Sequence, residues 1–266
     1  MVQFYDTLLV EYLKNPGQRG IGLDALANKY FDYVMIHYDD LTGKAKIPFK
    51  EVDLSVAANY SGEDVWMTWK LYKKQQEEKQ LLAPEDRLYE VLDTIELPLT
   101  QVLTDMELTG IKIDRDKLKG IGILLENEIS SLKKEIYHIT GEEFNIQSPK
   151  QVGEILFEKM KLPTGKKTKT GFSVSADVLE GLAREYPIAE KIVTYRHYSK
   201  LLSTYVEGLL KIATDDDRVH TNYNQTVAAT GRLSSVDPNL QNIPVGDGVA
   251  GEIRTAFIPN TSGDVL

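Results

Sequence analysis

Thr230-Gly231-Arg232-Leu233-Ser234-Ser235-Val236-Asp237-Pro238-Asn239-Leu240-Gln241-Asn242-Ile243-Pro244 is the most distinctive stretch of the chain. Its two prolines, its glycine and its Ser, Asp and Asn residues favour turns over a long regular element. Among these small polar residues stands one permanent cation, Arg232. Arg232, Asn239 and Gln241 all carry N–H donors. In a duplex minor groove every base pair offers purine N3 or pyrimidine O2 as acceptors, so such donors can engage any paired terminus without reading its sequence. A polar loop with no ligand has the same composition, and the residues alone leave both readings open.

The segments leading to this stretch are mostly helical. Asp53 is placed to cap a helix running through Tyr60, Asp64, Trp66 and Trp69 to about Gln80, where Ala83-Pro84 breaks it. A second pattern spans Asp86 to about Thr109, with Pro98 bending it and Gly110 stopping it. Gly110-Ile111-Lys112-Ile113-Asp114 reads as a short strand ending in a cap. Leu118, Ile121, Leu125, Ile129, Leu132 and Ile136 then form one stripe of a long amphipathic helix that ends before Gly141. Ser148-Pro149-Lys150-Gln151 is a helix start with a capping box, and Ser175 and Pro187 open two more helices, the second reaching about Ile212. After the acidic turn Asp215-Asp216-Asp217, alternation of Val219, Thr221, Tyr223, Gln225 and Val227 with polar residues predicts a single strand. The fold class is therefore mainly α with a small β component (α+β).

Composition narrows the chemistry. The 266 residues are 42 % hydrophobic and 27 % charged, enough to bury one or two cores. No apolar run approaches the roughly 20 residues of a membrane span, and the start shows no secretory pattern, so a cytoplasmic location with no membrane partner is expected. With no cysteine, disulfides and thiolate metal sites are excluded, and His37, His138, His197 and His220 are scattered, so any metal would be held by oxygen. A net charge of -9 opposes indiscriminate coating of DNA. Between Phe144 and Ser173, however, Lys150, Lys159, Lys161, Lys166, Lys167 and Lys169 face only Glu154 and Glu158. Such a segment suits either a duplex-binding element or a solvated lysine face.

Two further pairs have chemical potential. Tyr60 and Asp64 stand four apart on one helix face, where a phenol and a carboxylate can address one water. Many structural helices carry the same pair. Arg196 and Lys200 stand likewise on one face, where a phosphate can bridge them.

TGRLSSVDPNLQNIP at Thr230, together with GIKID at Gly110, GEEFN at Gly141, SPKQ at Ser148, YRxxxKxxSTY at Tyr195 and IRTAFIP at Ile253, resembles the bacterial family A DNA polymerases, and the matches fall in the family's order. The resemblance implies that residues 1–83 are the C-terminal part of a 3′-5′ exonuclease (ribonuclease H-like) domain. Residues 84–266 would be the N-terminal part of the polymerase domain, with a thumb at roughly 115–212 and the first strands of an antiparallel palm sheet at 213–266. The implied function is DNA-directed DNA polymerisation, a nucleotidyl transfer, in DNA replication and repair, with partial proofreading.

The same resemblance implies roles for particular residues. Tyr60 would position the attacking water of the exonuclease, and Asp64 would ligate one of two divalent ions, Mg2+ in the complete enzyme. Lys150, Lys166, Lys167 and Lys169 correspond to the thumb tip, Arg196 and Lys200 to its base, and Thr230, Arg232, Asn239 and Gln241 to contacts with the primer-template duplex. Deoxynucleoside triphosphates would be the complete enzyme's substrates. Asp105-Met106-Glu107 imitates the exonuclease DxE pattern but falls downstream, inside an amphipathic helix, and is read as structural. Gly246 stands where many members carry a basic run.

The palm aspartates and the fingers helix do not appear in these residues, so the chain alone is expected to lack catalysis. The alternative is a noncatalytic DNA-binding subunit of a split polymerase, complemented by a separate palm-fingers polypeptide. Strand edges near Val227 and the apolar group Ala256-Phe257-Ile258 are expected to be left uncovered.

Overall fold

The computed structural model describes residues 4–43, 46–83, 86–163, 167–168, 171–246 and 248–260. The chain packs as two compact units, one formed by residues 1–109 and 221–237, the other by residues 110–220 and 238–266.

The first unit begins with α1 (Thr7–Lys14), whose start is fixed by Asp6 accepting from the Leu8 and Leu9 N–H groups at 2.8 and 3.1 Å. Helices α2 (Leu23–Phe31) and α3 (Tyr38–Thr42) follow, then a 3₁₀ turn at Phe49–Glu51. The long helix α4 (Leu54–Lys79) starts at the expected cap, Asp53, which accepts from the Ser55 and Val56 N–H groups. Met67 of α4 packs with Ala27 and Met35 in a small apolar cluster. The next helical stretch is α5 (Leu88–Val91), a π-helical turn (Leu92–Glu96) and α6 (Leu97–Thr109). Pro98 has no N–H to offer the Thr94 carbonyl, and a wider, π-helical turn stands just before it. The Pro84 break falls outside the described residues.

A buried polar hub ties these helices together. Glu11 of α1 is 1 % exposed. Its carboxylate accepts from Lys14 Nζ at 2.8 Å, Gln75 Nε2 at 3.1 Å and the Tyr30 hydroxyl at 2.8 Å, so α1, α2 and α4 meet on one side chain. Leu9 and Val10, beside it, pack on Tyr89 and Leu92.

The second unit opens with β1 (Ile111–Lys112) and the 26-residue helix α7 (Arg115–Thr140), capped as expected by Asp114. Short α8 (Pro149–Gly153) runs into a second π-helical turn (Glu154–Lys159). Ser148 does cap α8, but Gln151 does not close the capping box. Its side-chain oxygen instead accepts from the Asn145 N–H at 2.7 Å. A two-residue ribbon, β2 (Lys167–Thr168) against β3 (Gly171–Phe172), precedes α9 (Ala176–Ala183) and α10 (Pro187–Lys200). A third π-helical turn (Leu201–Glu207) continues α10 into α11 (Gly208–Ile212). Strand β4 (Arg218–Val219) then pairs antiparallel with β1. The acidic turn between α11 and β4 is clamped by Arg115, which bonds Asp217 and the Ala213 and Thr214 carbonyls.

The predicted strand from Val219 to Val227 is two strands. Beyond β4, the chain enters the first unit with β5 (Asn222–Asn224), which pairs antiparallel with β6 (Ser234–Val236) and not with β1. The alternation is real, but two different partners take up its hydrogen bonds. At Pro238 the chain returns to the second unit, where α12 (Val249–Arg254) buries Ile253 against Ile121, Leu125 and Tyr205. The uncovered edge expected at Ala256-Phe257-Ile258 is covered. Ala256 is fully buried, its carbonyl accepts from the Asp114 N–H, Phe257 bridges to Ile113, and the Ile258 N–H reaches the Lys112 carbonyl. Val227 is exposed. Among the described residues, no helix is long and apolar enough to cross a membrane.

Two outcomes test this packing. Burial pushes the Glu11 carboxyl up, but Lys14, Gln75 and Tyr30 together outweigh it and the net direction is down. A folded pKa below the unfolded one, about 4.3, stabilises fully above that value and is lost as pH falls through the folded one. Denaturant unfolding should therefore show stability declining as pH falls below about 4.3. Glu11→Ala should cost about 3–5 kcal/mol at pH 7 and remove this part of the acid sensitivity. The second outcome concerns Gly110, at φ +65°, where an added Cβ would lie 2.8 Å from the His220 ring and 3.0 Å from the Val219 carbonyl oxygen. Gly110→Ala should cost at least about 1–2 kcal/mol by thermal melting, from the backbone conformation alone.

Candidate nucleic-acid interface

The two units divide the Thr230–Pro244 stretch between Asp237 and Pro238. In the first unit, β5 and β6 form a hairpin in which Asn222, Tyr223 and Asn224 face Val236, Ser235 and Ser234. Its base is held by a buried contact of 2.6 Å between the Thr221 and Ser235 hydroxyls. The loop between the strands carries Thr230 and Arg232, both exposed. Among the described residues the Arg232 guanidinium has no hydrogen-bond or ion-pair partner, so its donors face solvent. The loop itself is anchored. Gln225 Nε2 donates to the Glu96 carbonyl at 3.0 Å and to its carboxylate at 2.6 Å, and Glu107 accepts from the Tyr223 N–H at 2.6 Å. Glu107 thus braces the start of the hairpin, while Met106, expected on an apolar stripe, is exposed.

In the second unit, Asn239 folds the following residues into a turn, its Oδ1 accepting from the Gln241 and Asn242 N–H groups at 3.0 and 3.1 Å. With Oδ1 so occupied, the Asn239 amide nitrogen is its remaining donor, and Gln241 stands exposed beside it. The Tyr205 hydroxyl donates to the Asn242 carbonyl, fixing this turn to the helix that continues α10. Between them lies a cavity of about 340 Å³ lined by Lys200, Thr204, Tyr205, Pro238, Asn239 and Asn242.

Arg196 and Lys200 do not present a matched pair. Lys200 is exposed and lines the cavity. Arg196 turns inward, donating from Nε to the Ile146 carbonyl at 3.2 Å and from Nη1 to the Val174 carbonyl at 3.1 Å. It braces three chain segments, and its Nη2 is buried with no partner among the described residues. Burial pulls its pKa below the usual guanidinium range. In the lysine-rich segment, Lys150 is highly exposed and 3.9 Å from Glu154, while Lys159 is paired with Glu142. Lys166 and Lys169, and the side chain of Lys167, lie outside the described residues.

Tyr60 and Asp64 come together on α4 as their spacing predicts. They line a cavity of about 470 Å³ with Asp24, His37, Tyr38 and Asp39. Burial, followed by the negative charge of Asp64, raises the Tyr60 phenol above its ordinary pKa, which keeps it a donor. Glu63, between them, accepts from the Tyr33 hydroxyl at 2.7 Å and the Ile36 N–H at 2.7 Å, and so holds the opposite wall. Among the described residues, no group of three or more His, Asp or Glu side chains converges to hold a metal ion.

Sequence reasoning passed over Asp24, His37 and Asp39 around this cavity, and Gln225 and Tyr205 at the two halves of the stretch. Only Tyr205 had a local signal, five residues after Lys200 in the same motif. Gln225 reaches Glu96 across 129 positions, a separation no spacing rule detects.

Comparison with known proteins places the chain in a family. A family model described as DNA polymerase family A matches residues 115–266, and one described as 3′-5′ exonuclease matches residues 1–80. DNA polymerase I of Bacillus subtilis is 43 % identical over 258 residues, covering 96 % of this chain and 29 % of that protein. DNA polymerase I of Lactococcus lactis subsp. cremoris is 53 % identical over 182 residues, covering 68 % of this chain and 21 % of that protein. The chain thus spans less than a third of either relative. Among solved structures, the POL domain of Pol1 from M. smegmatis, in complex with DNA primer-template and dNTP, superposes with a TM-score of 0.78 at 33 % identity, covering 95 % of this chain and 41 % of that one. Since the polymerase model runs from the start of α7 through the whole Thr230–Pro244 stretch, and the identity extends over nearly the full chain, this chain belongs to DNA polymerase family A.

Proposed function

We propose that the chain is part of a DNA-directed DNA polymerase acting in replication and repair in the cytoplasm, and that its own task is to grip the primer-template duplex. The observation that carries this is the exposure of Thr230, Arg232, Asn239 and Gln241 within one short stretch, with the Arg232 donors unpartnered among the described residues. Arg232, Asn239 and Gln241 supply minor-groove donors that accept any correct base pair. Lys150 and Lys200, with Lys166, Lys167 and Lys169, neutralise phosphates and set affinity without sequence preference. Arg196, which braces the Ile146 and Val174 carbonyls, supports this surface from within and does not touch the duplex in this reading.

In this reading residues 1–83 belong to an exonuclease domain, and residues 84–266 to a polymerase domain with its thumb at about 115–212 and palm strands at 213–266. Deoxynucleoside triphosphates are substrates of the complete enzyme. Tyr60 and Asp64 serve proofreading, Tyr60 orienting a water through its retained proton and Asp64 offering one carboxylate to Mg2+. The described residues do not supply the full ligand set of a two-ion site, which needs several carboxylates. When bound, the ions would polarise the phosphate and activate the attacking water. If a separate palm-fingers polypeptide completes the enzyme, the same surface acts as a noncatalytic clamp. Primer extension with and without that second polypeptide separates the two arrangements.

Fluorescence anisotropy with a labelled primer-template should show log affinity falling with log salt at a slope of about -0.9 per phosphate neutralised. Arg232→Ala should cost about 1–3 kcal/mol, with no change in base preference. Indistinguishable binding by wild type and Arg232→Ala would remove the basis of the proposal.

Proofreading is tested separately, in a longer polymerase chain that supplies the further carboxylates a two-ion site needs. There Asp64→Ala should lower Mg2+-dependent degradation of single-stranded DNA at least about 100-fold, because a metal site contributes several kcal/mol of charge stabilisation. Undiminished degradation would show that Asp64 holds no ion.

A further inference from the structure

We propose that Tyr12, in the exonuclease-like segment, is a positioning residue for Arg232, a reading that rests on the duplex-binding role of Arg232 proposed above. Both residues belong to the first unit. The Tyr12 hydroxyl donates to the Ala228 carbonyl at 2.6 Å across 216 positions of sequence. The same carbonyl accepts from the Gly231 N–H at 3.3 Å, closing a four-residue turn whose next residue is Arg232. One oxygen therefore accepts one hydrogen bond from α1 and another from the turn that launches the guanidinium.

The tyrosine is built for this contact. It is 3 % exposed, so its ring is fixed by packing and its hydroxyl has one place to go. Close packing reinforces the contact. Gly17, just beyond α1, has φ +83°, and a Cβ added there would lie 2.6 Å from the Ala229 Cβ. Only glycine lets the backbone after α1 approach the turn this closely. Gln225 is held at the other end of the loop by Glu96, and the Thr100 hydroxyl donates to the Gln225 side-chain oxygen at 3.2 Å. The loop is thus gripped on both sides of Val227, while Arg232 itself remains without a tether among the described residues. A donor held at its base but free at its tip is directed without being occupied, which is what a minor-groove contact requires.

The consequence is that the segment resembling an exonuclease contributes to duplex binding through a hydrogen bond, even though Tyr12 need not touch DNA. The test is a double-mutant cycle on the 266-residue chain, with primer-template affinity read by anisotropy and folding by thermal melting. Tyr12→Phe keeps the ring and removes the proton. It should weaken binding about three- to tenfold, the range of one hydrogen bond. In the Arg232→Ala background it should have no further effect. Gly17→Ala, which displaces the same turn by a steric route, should show the same dependence on Arg232, and it decides the matter if Tyr12→Phe proves unstable. Equal weakening by Tyr12→Phe in both backgrounds, or unchanged binding with Arg232 present, would overturn the assignment while leaving the role of Arg232 intact. If Arg232→Ala itself binds normally, both this assignment and the duplex-binding reading fall together.

Discussion

The second unit depends on the apolar stripe of α7. That helix, about 39 Å long at 1.5 Å per residue, supplies one wall to each of three separate cores. Leu118 packs with Ile113, Leu209, Val219 and Ala256, Ile121 and Leu125 pack with Leu201, Tyr205, Val206 and Ile253, and Ile136 packs with Ile146, Val152 and Ile192. Each such side chain contributes about 1.5–3 kcal/mol on burial, so no single contact dominates. What the helix adds is spacing: three cores share one rigid axis. The cavity beside Lys200 and Asn239 inherits its geometry from the middle core, because Tyr205 is both a core member and the donor that fixes the Asn242 turn.

The first unit is organised differently, with polar groups at its centre. Glu11 joins three helices through ion pairs and hydrogen bonds, and Gln75, fully buried, also donates to the Thr7 carbonyl. Such a network fixes directions more strictly than apolar packing does, at the risk that losing one member strands the others. The Thr221–Asp237 hairpin joins this unit through the same type of contact, using Tyr12, Glu96 and Glu107. Direction, more than burial, is what these contacts confer on the Arg232 loop.

Local signals in the sequence identified most elements. Asp53, Asp114 and Ser148 cap helices where their side chains predicted, and the 3.6-residue stripe of α7 marked its buried face at Leu118, Ile121, Leu125 and Ile136. Local signals failed where partners are distant. Alternation at Val219–Val227 announced extended chain but could not reveal that β1 takes one part and β6 the other. The Ala256–Ile258 segment looked uncovered because its partners, Lys112 to Asp114, lie more than 140 positions away. For the candidate site, residue type and spacing offered Tyr60, Asp64 and the Thr230–Pro244 donors beside equally bland readings, and only the family resemblance gave them roles. Arg196 was assigned a face by its i, i+4 relation to Lys200, yet two backbone carbonyls draw its guanidinium inward, and helical periodicity carries no information about side-chain direction of that kind.

The three π-helical turns give the long helices something uniform winding would not. Each closes an i to i-5 bond, as between the Gly208 N–H and the Ser203 carbonyl, and so fits one additional residue into a turn. An added residue rotates everything downstream by about 100° relative to an unbroken helix. Across Leu201–Glu207 the chain thereby changes phase: Arg196 and Lys200 obey one angular register, and Leu209, in the core with Leu118, obeys another. A continuous rod can then serve one core through Ile188 and Ile192 over its first half and another through Leu209 over its second, without a loop between them. The turn behaves as a gear between two faces of a single helix, and it lets insertions of one residue survive in such a helix where elsewhere they would turn its apolar face to water.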